Sequence, residues 1–153
     1  MEIKYVHTNI VSSDWKNLAN FYIQVFNCKP VSPERDISGE WLEKGTNVKN
    51  ASIKGIHLQL PGYENNGPTL EIFQYSEIVE SGIPVSNKKG FGHIAFQVKN
   101  VQDIVAKVIQ FGGQLLGEIV TTTIENVGDL CFAYVKDPEE NIIEIQNWDY
   151  SKK

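Results

Sequence analysis

The chain repeats one pattern of elements in its two halves, and this repeat limits the folds that it can adopt. Each half opens with a histidine in a short β-prone segment, His7 in the first and His93 in the second, followed by a helical pattern. Each half ends with a proline-containing turn that leads into a strand with a central glutamate, Glu71 and then Glu144. The repeat therefore predicts a duplicated unit of one strand, one helix and three further strands.

Apolar periodicity places the helix of each half. In the first, apolar residues recur at i, i+3, i+4, i+7 and i+8 after a Ser13 or Asp14 cap, and the helix is expected to end near Asn27. In the second, a helix begins after Asn100 and closes at Gly112-Gly113. Strands are predicted at 4–11, 51–60, 69–75, 93–98 and 142–148. A further strand followed by a turn is predicted at 130–141, and a short helical turn is predicted to end at Gly45.

These elements favour an α+β fold. The helices do not alternate one for one with strands, so a doubly wound parallel sheet is disfavoured. We expect two tandem βαβββ modules with a curved, mixed and largely antiparallel sheet, at residues 1–79 and 91–150, joined by a linker at 80–90. A module of about 70 residues is marginal alone, so the two are expected to share one core as a single structural domain.

Composition excludes several classes of protein. The formal net charge is -5, Arg35 is the only arginine, and no basic patch of the kind that binds nucleic acid is visible. No window approaches the run of about 18 apolar residues that a membrane-spanning helix needs, and the first residues lack the apolar core of a secretion signal. A cytoplasmic protein that binds neither nucleic acid nor membrane is expected.

Four side chains at equivalent places in the two halves carry the chemistry. A pseudo-twofold axis between the modules would bring His7, His93 and the glutamates of the two last strands, Glu71 and Glu144, around one point. Two neutral imidazoles and two carboxylates suit one divalent ion, Zn²⁺, Ni²⁺, Fe²⁺ or Co²⁺. In each last strand the alternation directs the flanking apolar residues towards a helix and the glutamate to the other face.

Each of these residues also has an ordinary structural interpretation. A lone histidine in a strand is usually a core or surface residue, and a glutamate between isoleucines is usually the solvent-facing member of an alternating strand. The repeat, rather than any single residue, favours the metal site. The third histidine, His57, is interpreted as a packed or surface residue, with a contact to substrate as the alternative.

The chain resembles the glyoxalase / bleomycin-resistance / extradiol-dioxygenase (vicinal oxygen chelate) superfamily over essentially its whole length. The resemblance rests on Val6-His7-Thr8, on the helix with Phe21-Tyr22, on the segment GFGHIAFQVKNVQDI that contains His93, and on the two strand glutamates. It implies paired βαβββ modules that bind a divalent metal in a cup between them, and the cup can be made by the two modules of one chain or by modules of two chains. It also implies that His7, Glu71, His93 and Glu144 are the ligands.

Within the superfamily, a set of two histidines and two glutamates is most similar to the bacterial lactoylglutathione lyases. Methylmalonyl-CoA epimerases are similar, with an amide in place of the first glutamate. Ring-cleaving dioxygenases and fosfomycin-resistance enzymes use two histidines and one glutamate, and bleomycin-binding members have usually lost the ligands. The arginine that lactoylglutathione lyases carry shortly after the first histidine is absent, since residues 9–12 are NIVS.

The resemblance therefore implies a lyase or isomerase of the glyoxalase I type that acts on a small carbonyl substrate through a metal-stabilised enediolate. Glu71 or Glu144 would carry the proton, and Glu144 is favoured because its module has the more typical family sequence. The alternatives are an epimerase-like isomerase, an extradiol-type dioxygenase, and a binding or conjugating protein of the bleomycin- or fosfomycin-resistance kind. A homodimer is expected.

Overall fold

The computed structural model describes residues 3–151, which form an α+β fold of nine strands and three helices. The strands are β1 (His7–Val11), β2 (Lys29–Ser38), β3 (Ser52–Gln59), β4 (Thr69–Tyr75), β5 (Ile94–Gln97), β6 (Gln114–Leu115), β7 (Val120–Ile124), β8 (Gly128–Lys136) and β9 (Ile142–Asp149). The helices are α1 (Trp15–Phe26), α2 (Glu40–Thr46) and α3 (Val101–Gln110). The chain divides into two compact units, an N-terminal unit, Met1–Glu80, and a C-terminal unit, Ser81–Lys153.

The N-terminal unit has a four-stranded sheet in the order β1-β4-β3-β2. The first strand, β1, is parallel to β4, and the other two pairings are antiparallel. A parallel pair needs a crossover connection, and α1 lies in that connection together with the two strands that follow. The result is the predicted βαβββ module, with the first and last strands side by side.

The C-terminal unit repeats this topology. Its sheet has the order β5-β9-β8-β6, with β5 parallel to β9. The strand β7 pairs with the first part of β8, and β6 pairs with its last two residues. Together, β6 and β7 therefore take the place that β2 has in the other unit. Gly117, at φ +108°, lies between β6 and β7 in a conformation that favours glycine and interrupts the strand.

The helix α1 covers one face of the N-terminal sheet. The side chain of Asp14 accepts a hydrogen bond from the backbone N–H of Asn17, as an N-cap does, and Asn27 ends the helix in the left-handed conformation at φ 56°. The apolar face predicted for this helix is fully or almost fully buried. Its members are Leu18, Phe21, Tyr22, Val25 and Phe26.

The last strand of each unit has the predicted alternation. Leu70 and Ile72 are fully buried on either side of Glu71, and Ile143 and Ile145 are fully buried on either side of Glu144. Both glutamates are partly exposed. The apolar members of β4 and β9 lie towards α1 and α3, and the glutamates therefore point from the opposite face of each sheet.

One strand of the N-terminal unit was not predicted. Residues 29–38 contain two prolines and four charged residues, a composition that rarely indicates a strand, yet they form β2. This strand lies at the edge of its sheet, where missing backbone donors and polar side chains are tolerated, and its register with β3 shifts between Val31 and Arg35. Among residues 3–151, no helix has the length and apolar character needed to span a bilayer.

Candidate metal centre

Strand register brings three potential ligands together in the N-terminal unit. In the antiparallel pair of β3 and β4, His57 lies directly opposite Glu71, so both side chains leave the same face of the sheet. In the parallel pair of β1 and β4, Asn9 is the partner of Glu71, and His7 lies two residues before Asn9 on the same face. Glu71 is therefore flanked by side chains from both neighbouring strands.

The contacts around the Glu71 carboxylate are close. His57 Nε2 lies 3.1 Å from Oε1, and His7 Nε2 lies 3.4 Å from Oε2. Asn9 donates a hydrogen bond from Nδ2 to Oε2 at 2.9 Å. His7, His57 and Glu71 each offer one ligand atom, and these three atoms lie within 4.8 Å of one another. One metal ion can bridge this separation with small side-chain movements.

The environment of His57 favours a neutral ring. Burial lowers the pKa of His57, the Glu71 carboxylate acts in the opposite direction, and the charges of Arg35 and His7 lower it further. A neutral imidazole has a free nitrogen lone pair, which is the form that binds a metal.

The C-terminal unit contains a second histidine–glutamate pair. His93, immediately before β5, has its Nε2 3.1 Å from Oε2 of Glu144 on β9. Tyr134 lies opposite Glu144 on β8, and its ring makes an edge contact with His93 at a centroid distance of 5.1 Å. Burial and the Glu144 carboxylate raise the pKa of Tyr134, so its hydroxyl keeps its proton at neutral pH.

The two units place these residues at equivalent registers. Thr8 pairs with Leu70, and Ile94 pairs with Ile143, so that His7 corresponds to His93 and Glu71 to Glu144. The same registers make Tyr134 the counterpart of His57.

The predicted ligands thus form two pairs, His7 with Glu71 in one unit and His93 with Glu144 in the other. Imidazole nitrogens and carboxylate oxygens are ligands that Zn²⁺, Ni²⁺, Co²⁺ and Fe²⁺ accept, so both pairs fit the metal chemistry expected from the sequence. That all four bind one ion stays a prediction.

His57 was not predicted as a ligand, because its position beside Glu71 depends on the register between β3 and β4. The predicted strands leave a turn at 61–68, and a hairpin folded about the middle of that turn would pair residue 58, rather than residue 57, with residue 71. The observed register differs by one residue and places His57 on the same face as Glu71.

The fold and these pairs define a class: two tandem βαβββ units, each with a histidine at its first strand and a glutamate in its last. A model of the glyoxalase/bleomycin resistance protein/dioxygenase superfamily matches residues 4–145. The chain belongs to this superfamily.

Solved structures share the fold. A glyoxalase family protein from Bacillus cereus is 18% identical with a TM-score of 0.74, and the match covers 97% of this chain and 94% of that one. The trypanothione-dependent glyoxalase I of Leishmania major is 20% identical with a TM-score of 0.62, covering 95% and 87%. A glyoxalase I mutant from Zea mays is 20% identical with a TM-score of 0.65, covering 94% of this chain and 44% of the maize chain. No curated protein matches the chain in sequence.

Proposed function

We propose that the protein is a metal-dependent lyase or isomerase of the glyoxalase I type that acts on a small carbonyl substrate. The observation that carries this proposal is the occurrence of the same histidine–glutamate pair at the same register in both units. One accidental pair of this kind is common on protein surfaces, whereas two pairs at equivalent positions are typical of a retained site. Superfamily membership and the glyoxalase I structures with the same fold support it.

In this proposal, His7, Glu71, His93 and Glu144 hold one divalent ion. When bound, the ion would act as a Lewis acid for the carbonyl oxygen of the substrate. The two histidines would serve as neutral ligands, and the two carboxylates would offset the charge of the ion. The exchange of a proton at the carbon next to the carbonyl needs a base within hydrogen-bond reach, which a carboxylate at the site can provide.

The surroundings of the two glutamates support different roles for them. Glu71 is held by Asn9, His57 and His7, and its side chain is 12% exposed. Among residues 3–151, the one side chain within hydrogen-bond distance of the Glu144 carboxylate is His93, and the counterpart of Asn9 is Ala95, which has no donor in its side chain. We therefore assign Glu71 as a fixed ligand and Glu144 as the proton carrier.

The ligand assignment predicts the behaviour of a His93→Ala variant. It should lose most of its affinity for Ni²⁺ or Zn²⁺ and stay folded, because His93 is partly exposed and lies outside the apolar core. Metal titration by calorimetry and circular dichroism would measure the two properties. Gln97→Ala, at an exposed position of the same strand β5, is the matched control and should bind as the wild type does. Unchanged affinity in the His93 variant would remove this residue from the site.

A second function has one observation in its favour. The three residues grouped in the N-terminal unit are two histidines and one carboxylate, which is the donor set of many iron(II) oxygenases. Extradiol-type dioxygenase chemistry is therefore the second candidate. Oxygen consumption with Fe²⁺ and a catechol would favour it over the lyase or isomerase, which uses no oxygen.

We also propose that the protein is a homodimer. Several large apolar side chains are more than half exposed in the isolated chain. Exposed apolar side chains of this kind are expected where a second copy of the chain covers the surface. They include Ile3, Tyr5, Val79 and Ile83. Light scattering at micromolar concentration should give twice the chain mass, and a value near 17.3 kDa would contradict the dimer.

A further inference from the structure

We propose that His57 is a third ligand supplied by the N-terminal unit, so that the metal site is asymmetric between the two units. The inference rests on the proposed metal site and concerns its composition. His7 and Glu71 follow from the repeat, whereas His57 has no histidine counterpart in the other unit. The N-terminal unit would therefore provide most of the donors, and the C-terminal unit would complete them.

The position of the ring is the first argument. His57 Nε2 lies 3.1 Å from Glu71 Oε1, closer than the 3.4 Å between His7 Nε2 and Oε2. Donors bound to one ion at about 2.0–2.2 Å lie roughly 3 Å from each other. The His57–Glu71 separation already meets that requirement, so His57 satisfies the distance condition at least as well as the predicted ligand His7.

The other nitrogen of the ring is the second argument. His57 Nδ1 lies 3.2 Å from the hydroxyl oxygen of Thr69, two residues before Glu71 on β4. Histidines that bind metals usually have their second nitrogen in a hydrogen bond of this kind, which fixes the ring and its tautomer. In the metal-bound protein, Nδ1–H would be donated to Thr69, and the lone pair of Nε2 would bind the ion beside Glu71.

Packing around the ring is the third argument. The side chain of His57 is 19% exposed, against 40% for His7. Its ring makes edge contacts with His7 at 5.9 Å and Phe73 at 5.7 Å between centroids. These contacts leave few alternative rotamers, so the nitrogen is held beside the carboxylate at little further entropic cost.

The C-terminal unit has Tyr134 at the equivalent position, and this difference gives the proposal its control. Tyr134 contacts the ring of His93, as His57 contacts the ring of His7, but its side chain contains no nitrogen that could bind a metal. Tyr134→Phe is therefore expected to leave the number of bound nitrogens unchanged, while a substitution of His57 lowers it by one.

The experiment counts the imidazole nitrogens bound to Cu²⁺ in the full-length protein. Pulsed electron paramagnetic resonance should detect three histidines in the wild type and in Tyr134→Phe, and two in His57→Phe. His57→Asn is the second variant, in case the larger ring prevents folding. Affinity would also fall, by tenfold or more, but a residue that merely positions Glu71 would lower affinity too, so the nitrogen count decides.

Two results would overturn the proposal, and they differ in what else they affect. Two nitrogens in both the wild type and the His57 variants would show that His57 positions Glu71 without binding the ion, and the proposed metal site would stand. A wild-type protein that binds no Cu²⁺, Ni²⁺ or Zn²⁺ would overturn the proposed function together with this inference.

Discussion

Replacing Glu144 by glutamine should lower proton exchange at the substrate carbon by at least about 100-fold while most of the metal affinity remains. Glutamine keeps the shape of the side chain and an oxygen that can bind a metal, but it cannot accept the substrate proton. The deuterium content of a small α-hydroxyketone or hemithioacetal in heavy water, followed by proton NMR, would measure exchange. Metal content would be determined on the same samples.

Glu71→Gln is the matched variant, because Glu71 occupies the same register in the other unit. Its three neighbours, Asn9, His57 and His7, support the proposal that it is a fixed ligand, so this substitution should act chiefly through weaker metal binding. Restoring the metal by excess Ni²⁺ should then recover exchange in Glu71→Gln and fail to do so in Glu144→Gln. If both variants keep the metal and exchange at the wild-type rate, neither glutamate is the base.

Replacing Leu18 by alanine should lower the free energy of unfolding by about 3 kcal/mol, within the usual range for a buried leucine. Leu18 is fully buried in the face of α1 that covers the N-terminal sheet. The truncation leaves a cavity between that helix and the buried residues of β3 and β4, such as Leu58 and Leu70. Urea denaturation followed by circular dichroism and tryptophan fluorescence would measure the loss.

Ile109→Ala is the control for this prediction. Ile109 is an aliphatic residue of similar size in the helix α3, but its side chain is 56% exposed. The same truncation there should change the free energy of unfolding by less than about 1 kcal/mol. Equal effects of the two substitutions would contradict the assignment of the α1 face as the core of the N-terminal unit.

The sequence predicted the elements with strong periodicity. The helix α1 was expected to end near Asn27 and does so, because a regular apolar face and a capping residue specify a helix locally. The alternation of Leu70, Glu71 and Ile72 likewise indicated which side of β4 is buried. The repeat placed a histidine and a glutamate in each unit, since matching segments of a duplicated module occupy matching strands.

Elements defined by their neighbours were not predictable in the same way. The strand β2 contains prolines and charged residues, and it is a strand because β3 offers it an edge to pair with. The short strands β6 and β7 depend in the same way on β8. The proposed role of His57 also depends on a partner, since only the register of β3 with β4 places it beside Glu71.

The number of ions that one chain binds tests the central proposal most directly. The wild-type protein, freed of metal and then titrated with Ni²⁺ or Zn²⁺, should bind one tight ion per chain, as quantified by calorimetry and elemental analysis. A single ion is expected because His7, Glu71, His93 and Glu144 are proposed to share it. Two tight ions per chain would mean that each unit binds its own, and either that result or the absence of tight binding would contradict the account.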